Sequence, residues 1–125
     1  MSNIEKIDIG EFTHAPFGRY RKDGPKSGEE FREIWLEPAI KKARKKGVIL
    51  EIIIDDVEGY GDSFIESVFG GAVRDEILPH DIEEIKRIIK ITYPNKPYFE
   101  MYKNFIWRHI LNAIKNFKSK EPKAI

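Results

Sequence analysis

The sequence predicts an α/β domain, in which helices pack on a sheet containing at least one parallel crossover. Three observations carry that reading. Residues 48–54, Val-Ile-Leu-Glu-Ile-Ile-Ile, are apolar at nearly every position. A strand with one face in water alternates, so this run predicts a central strand with helices on both faces. Two longer segments, 28–46 and 97–117, instead repeat their apolar residues at spacings of three and four, as amphipathic helices do. The chain of 125 residues has the length of one domain, read as 1–117, with 118–125 a polar, disordered tail.

Each element follows from local chemistry. Ile4, Ile7 and Ile9 suggest a short strand near a sheet edge. Residues 10–26 hold Gly, Pro and no helical period, which predicts a long ordered loop with an extended piece around 17–20. Ser27-Gly28-Glu29-Glu30 is a capping box opening a helix, whose inward stripe reads as Phe31, Ile34, Trp35, Ala39 and Ala43. Pro38 lies inside it and removes one helical hydrogen bond, which predicts a kink or a division near Glu37. Lys41, Lys42, Arg44, Lys45 and Lys46 then complement the helix dipole before a Gly47 cap. Residues 62–73 form a helix with Phe64, Ile65, Val68, Phe69 and Ala72 inward, and Gly70-Gly71 marks close packing. A short helix starts at 79–84, a strand spans 87–93, and the last helix buries Tyr98, Met101, Tyr102, Phe105, Ile106, Ile110, Ala113 and Phe117.

Composition narrows the function classes. Lys and Arg number 22 against 21 Asp and Glu, a formal net charge of +1, which argues against nucleic-acid binding by bulk electrostatics. The Lys41 to Lys46 run ends a helix and already has a structural use there. With no Cys, a disulfide scaffold, a cysteine nucleophile and thiolate metal sites are excluded. Met1 to Lys6 shows no apolar leader core and no run approaches a membrane span, so a cytoplasmic protein without a membrane partner is expected.

The informative stretch is 55–64, Asp-Asp-Val-Glu-Gly-Tyr-Gly-Asp-Ser-Phe. It joins the carboxyl end of the buried strand to a helix amino terminus, where open α/β sheets place their sites. Gly59 and Gly61 allow a tight path around an exposed Tyr60. Asp62 or Ser63 is expected to cap the helix. The functional reading instead makes the Ser63 hydroxyl chemically available on the surface.

A strand ending in Asp, a short turn, and Asp62-Ser63 opening a helix resembles the switch loop of STAS domains, the family of anti-sigma-factor antagonists and sulfate-transporter modules. The closer likeness is to their STAS-like bacterial relatives. It is carried by Phe17-Gly18-Arg19, Asp23-Gly24-Pro25, Ser27-Gly28-Glu29-x-Phe31-Arg32, Gly59-Tyr60-Gly61-x-Ser63-Phe64 and Phe69-Gly70-Gly71-x-Val73-Arg74, over roughly residues 4 to 117. The resemblance implies a STAS-like mixed β-sheet with helices packed on it. It also implies a non-enzymatic regulatory or interaction module with no cofactor, in which Ser63 accepts phosphate from a partner kinase. The partner it implies is an ATP-binding kinase or ATPase of the anti-sigma or histidine-kinase type, and the contact surface is expected at Gly59, Tyr60, Gly61, Asp62, Ser63 and Phe64, joined by the loop from Phe17 to Asp23. Where antagonist members carry a small residue and Gly after that Ser, this chain has Phe64-Ile65.

Other readings use the same residues differently. Arg19, Arg21, Lys26, Ser27, Gly28 and Arg32 form a basic, glycine-containing loop that suits a nucleotide or phosphate, which would make the protein a small-ligand sensor with the 59–63 turn as second wall. The plainer reading pairs Arg19 or Arg32 with Asp55 or Asp56. Gly61-Asp62-Ser63 also suggests a serine hydrolase, yet neither His80 nor His109 follows an Asp at the spacing such enzymes use. His109 is expected at the core boundary and His80 exposed at a helix start. Asp55, Asp56 and Glu58 suit Mg²⁺ in type, although adjacent acids on a turn are more often solvated.

Overall fold

Three strands pair in the order β1–β2–β3 in the computed structural model of the protein, which describes residues 4–119. β1 is Ile4–Asp8, β2 is Ile49–Ile53 and β3 is Ile89–Thr92. β2 takes the centre, as its apolar run predicts, and β1 lies at an edge. Both pairings are parallel, because each connection is a helical crossover returning the chain to the same end of the sheet. The α/β class stands, and among the described residues the sheet is parallel rather than mixed.

Register decides which side chains share a face. Leu50 pairs with Ile89 and Ile52 with Ile91, and all four are buried. The opposite face carries Ile49, Glu51, Ile53, Lys90 and Thr92, which are half-buried or exposed, and the Thr92 hydroxyl donates to Glu51 at 2.8 Å. The expectation of full helical cover on both faces is therefore corrected. Isoleucine suits a pleated surface whether or not a layer covers it, so the run marked a strand more reliably than its surroundings.

A single helical turn, α1 (Ile9–Phe12), follows β1, and the Asp8 carboxylate caps it by accepting the Gly10 amide at 2.8 Å. A 3₁₀ turn at Arg21–Asp23 interrupts the long loop. The next helix, α2, runs without a break through 28–46. Ser27 accepts the Glu30 amide at 3.1 Å, while Glu30 reaches back to the Lys26 amide, one residue outside the predicted box. Gly47 closes the helix in the left-handed conformation with φ of 70°.

The kink expected near Glu37 is instead a widened turn. Over Arg32–Leu36 the helix is of the π type, and the Glu37 amide donates to the Arg32 carbonyl five residues back. Pro38 has no amide proton to give, and the wider turn just before it accommodates that loss. The extra residue also shifts the inward stripe. Phe31, Leu36, Ile40 and Ala43 are buried, a first step of five, while Ile34 stands 58% exposed and Trp35 and Ala39 are only half-buried.

The helix α3 covers 62–74 and contains a second π-type stretch, Glu66–Gly70. Phe64, Ile65, Val68, Phe69 and Ala72 are buried, as their spacing predicts. Then α4 (Ile82–Ile88) runs directly into β3, and α5 (Glu100–Ser119) follows a 3₁₀ turn at Pro97–Phe99. α5 packs on α3 through Ile106, Ile110 and Ala113, with Ile114 alongside. The 3₁₀ turn moves Phe99 into the core and leaves Tyr98 and Met101 exposed, which corrects their inward assignment. α5 extends two residues into the stretch read as a tail; the remainder, 120–125, lies outside the described residues. No helix among the described residues is long and apolar enough to cross a membrane.

His80 departs from its expected exposed position. Its ring lies 3.8 Å from that of Phe117, centroid to centroid, and Nε2 is 3.1 Å from the Val73 carbonyl oxygen.

Candidate functional site

The site grows from the carboxyl ends of the strands. β2 runs out at Ile54 and Asp55, and Asp55 is 3% exposed. Its carboxylate accepts the amides of Asn95 and Lys96 at 2.6 and 3.0 Å, tying the end of β2 to the chain leaving β3. Asp55 is thus engaged in a structural hydrogen-bond pair rather than in the partnership with Arg19 or Arg32 that the sequence suggested.

Tyr60 anchors the turn that follows. Its hydroxyl donates to the Ile54 carbonyl at 2.6 Å, and its ring meets Phe64, Phe99 and Tyr102 at centroid distances of 6.1, 6.2 and 5.2 Å. Burial, reinforced by the nearby Asp8 and Asp55 carboxylates, pushes its phenolic pKa far above the ordinary value. Phe64 is wholly buried and touches Phe31 as well. The two aromatics assigned as partner contacts therefore serve the core: Phe64 is removed from the surface entirely, and Tyr60 is half-buried rather than exposed.

The helix cap also differs from expectation. Gly61 occupies the N-cap, its amide donates to the Pro16 carbonyl, and no side chain caps the helix. Asp62 and Ser63 sit inside the first turn instead. The Asp62 carboxylate lies 2.8 Å from His109 Nε2, linking the turn to the middle of α5. Ser63 is exposed, and its hydroxyl has no hydrogen-bond partner among the described residues. His109, 17% exposed in its side chain, gives its ring nitrogen to Asp62 and not to Ser63. The surface of the turn thus reduces to Gly59, Gly61, Asp62 and Ser63, flanked by exposed Asp56 and Glu58.

The remaining motif residues form an interlock beneath this surface. The Gly28 and Glu29 amides donate to the carbonyls of Gly18 and Arg19 at 2.8 and 3.1 Å, joining the long loop to the start of α2. Arg19 pairs with Glu66 at 2.5 Å, and Arg74 holds the other carboxylate oxygen at 2.6 Å. Ser67, 2% exposed, donates to the Arg19 carbonyl at 2.9 Å. Arg32 donates through Nη1 to the Ser67 carbonyl and through Nε to Asp75 at 3.1 Å. Gly71 lets that guanidinium cross α3, since a Cβ there would collide with Arg32 Nη1. Burial raises the Glu66 carboxyl's pKa, but hydrogen bonds from Arg74 and Arg19 outweigh it and hold the group below its usual range.

Most of the basic loop residues are accordingly occupied. Arg19 and Arg32 are paired as described. Arg21 lies 3.8 Å from Glu33, Lys26 sits 4.9 Å from the Phe12 ring centroid, and Ser27 is buried as the α2 cap. Gly28 packs against Ser67. Of the six candidate anion-binding residues, Arg19, Ser27, Gly28 and Arg32 are engaged with protein, while Arg21 and Lys26 stand exposed. Sequence reasoning missed Glu66 and Ser67, which read as ordinary polar positions on a helix; only the neighbouring Gly70-Gly71 hinted at a close approach.

A family model for a STAS-like domain of unknown function (DUF4325) matches residues 27–99, more than half of the chain. The protein belongs to this STAS-like family. The matched region of the STAS-like domain begins at the α2 cap, ends in the 3₁₀ turn before α5, and contains Arg32, Ser63, Ser67 and Gly71. No curated protein and no solved structure matches the chain.

Proposed function

We propose that this STAS-like domain is a cytoplasmic regulatory module that acts by binding rather than turnover, with the 59–63 turn as its docking surface and Ser63 as its modifiable centre. The partner in this reading is an ATP-binding kinase or ATPase of the anti-sigma or histidine-kinase type. One observation carries it: the Ser63 hydroxyl is exposed at the carboxyl edge of the sheet and has neither an internal partner nor a capping duty. Phosphate there would add about 1.5 to 2 negative charges at neutral pH. Asp62, Glu58 and Asp56 already make this edge acidic, so the added charge would repel an acidic partner surface or reorganise a docked one, while the fold beneath stays intact.

The reading is tested by capture from native lysate with wild type, Ser63→Ala and Ser63→Glu, read by mass spectrometry. Wild type and Ser63→Ala are expected to retain an ATP-binding partner that Ser63→Glu loses. Equal capture by all three would remove the switch.

A further inference from the structure

An open cleft of about 460 Å³ lies beside this turn, at the carboxyl edge of the sheet. Its walls include His14 and Phe17 from the long loop, Asp56, Glu58 and Gly59 from the turn, and Lys96 from the segment after β3. Phe17 is 57% exposed although it stands in an ordered stretch: the carbonyl of its neighbour Pro16 accepts the Gly61 amide at 3.0 Å. Neither Asp56 nor Glu58 forms an ion pair among the described residues, and both are exposed. The cationic side chain of the wall, Lys96, is already engaged, with Nζ donating to the Val57 carbonyl at 2.7 Å and lying 5.2 Å from the Phe99 ring centroid. Asp8 and Asp56 repel each other, and the Asp8 pKa is raised, first by burial and then by the neighbouring acids Asp56 and Glu11. The cleft therefore combines an open aromatic face, two unpaired carboxylates and an excess of negative charge.

That combination selects a cation with a flat apolar face. A guanidinium stacks on an aromatic ring and forks onto carboxylates, which a compact, strongly hydrated ammonium does less well. A phosphate or nucleotide meets the wrong sign of charge here. We infer that this cleft receives an arginine side chain presented by the protein partner, an inference that rests on the binding role proposed for the 59–63 turn.

The probe is the peptide acetyl-Gly-Arg-Gly-amide, titrated into the intact protein with amide shifts read by NMR. Saturable shifts at Phe17 and Gly59 are expected at millimolar peptide, and replacing Arg by citrulline, which keeps the shape and removes the charge, should abolish them. Phe17→Ala and Glu58→Gln should each weaken binding by roughly five-fold, the size of an exposed cation–π contact or ion pair. Absence of shifts, equal binding of the citrulline peptide, or tighter binding of free agmatine than of the peptide would overturn the inference. The partner test separates the two claims. If Ser63→Glu loses the partner while Phe17→Ala and Glu58→Gln retain it fully, the cleft assignment falls and the switch stands. If Ser63→Glu retains the partner while both cleft variants weaken it, the switch falls and the cleft stands.

Discussion

Arg32 reaches from α2 across the backbone of α3 and donates to the carbonyl of Ser67, passing over Gly71. The two π-type turns, Arg32–Leu36 and Glu66–Gly70, meet at this bond. Widening a helix leaves a carbonyl without its usual amide, and the guanidinium supplies the missing donor. Arg32→Ala should cost about 1.5 to 3 kcal/mol, as expected for a hydrogen bond from a charged group. Gly71→Ala should be comparably harmful in wild type but far milder in the Arg32→Ala background, where the colliding group is gone. A double-mutant cycle by urea unfolding measures this coupling, and additive costs would refute the arrangement.

Phe64 and Ser63 are neighbours with opposite duties. Phe64→Ala should destabilise the domain by about 3 to 5 kcal/mol, the usual result of emptying a buried phenylalanine site. Ser63→Ala should leave the thermal midpoint unchanged. A substantial loss of stability in Ser63→Ala would mean that its hydroxyl has a structural duty after all.

Tyr60→Phe removes the hydroxyl that ties the turn to the end of β2. The net loss should be about 1 kcal/mol, since the ring contacts remain while the Ile54 carbonyl loses a partner. Hydrogen exchange should then accelerate in 55–61 and leave β2 protected; unchanged exchange in that stretch would refute the anchoring role.

Acid should act on two carboxylates with opposite sign. Glu66 has a lowered pKa, so its stabilisation is complete above the unfolded value near 4.5 and is lost as pH falls through the folded value. Glu66→Gln should therefore be less stable than wild type at neutral pH and lose less on further acidification. Asp8 has a raised pKa, so its ionised form weighs against folding at neutral pH and that burden eases as pH falls toward 3.8. Asp8→Asn keeps a cap for the Gly10 amide and removes the repulsion, so its thermal midpoint should rise at pH 7 and converge with wild type in acid.

Much of the fold was legible because burial and periodicity agree over most of the chain. The run at 48–54 announced β2, the capping box at Ser27 announced α2, and the spacing of Phe64, Ile65, Val68 and Phe69 announced the inward side of α3. What was not legible depended on backbone geometry outside the regular repeat. A stripe counted at 3.6 residues per turn places Ile34 inward; the π turn before Pro38 replaces it with Leu36. Tyr98 and Met101 were lost in the same way, to a 3₁₀ turn that brings Phe99 inside. At the candidate site, the exposure of Ser63 followed from its place after a strand, but the inward turn of Tyr60 did not. A Tyr between two glycines reads as a loop tip unless the carbonyl awaiting its hydroxyl is known.

The widened turn in α2 fixes where that helix can change length. Removing one residue from 33–35 would leave Phe31 and Leu36 four positions apart, the spacing at which an ordinary α-helix keeps two side chains on one face. Leu36, Ile40 and Ala43 would then stay inward together, and the cationic end of the helix would keep its reach to Glu5, which now meets Lys42 and Lys46. Within this family, a one-residue deletion in this helix should therefore fall at 33–35, because one within 37–46 would turn the residues beyond it by about 100° away from the core.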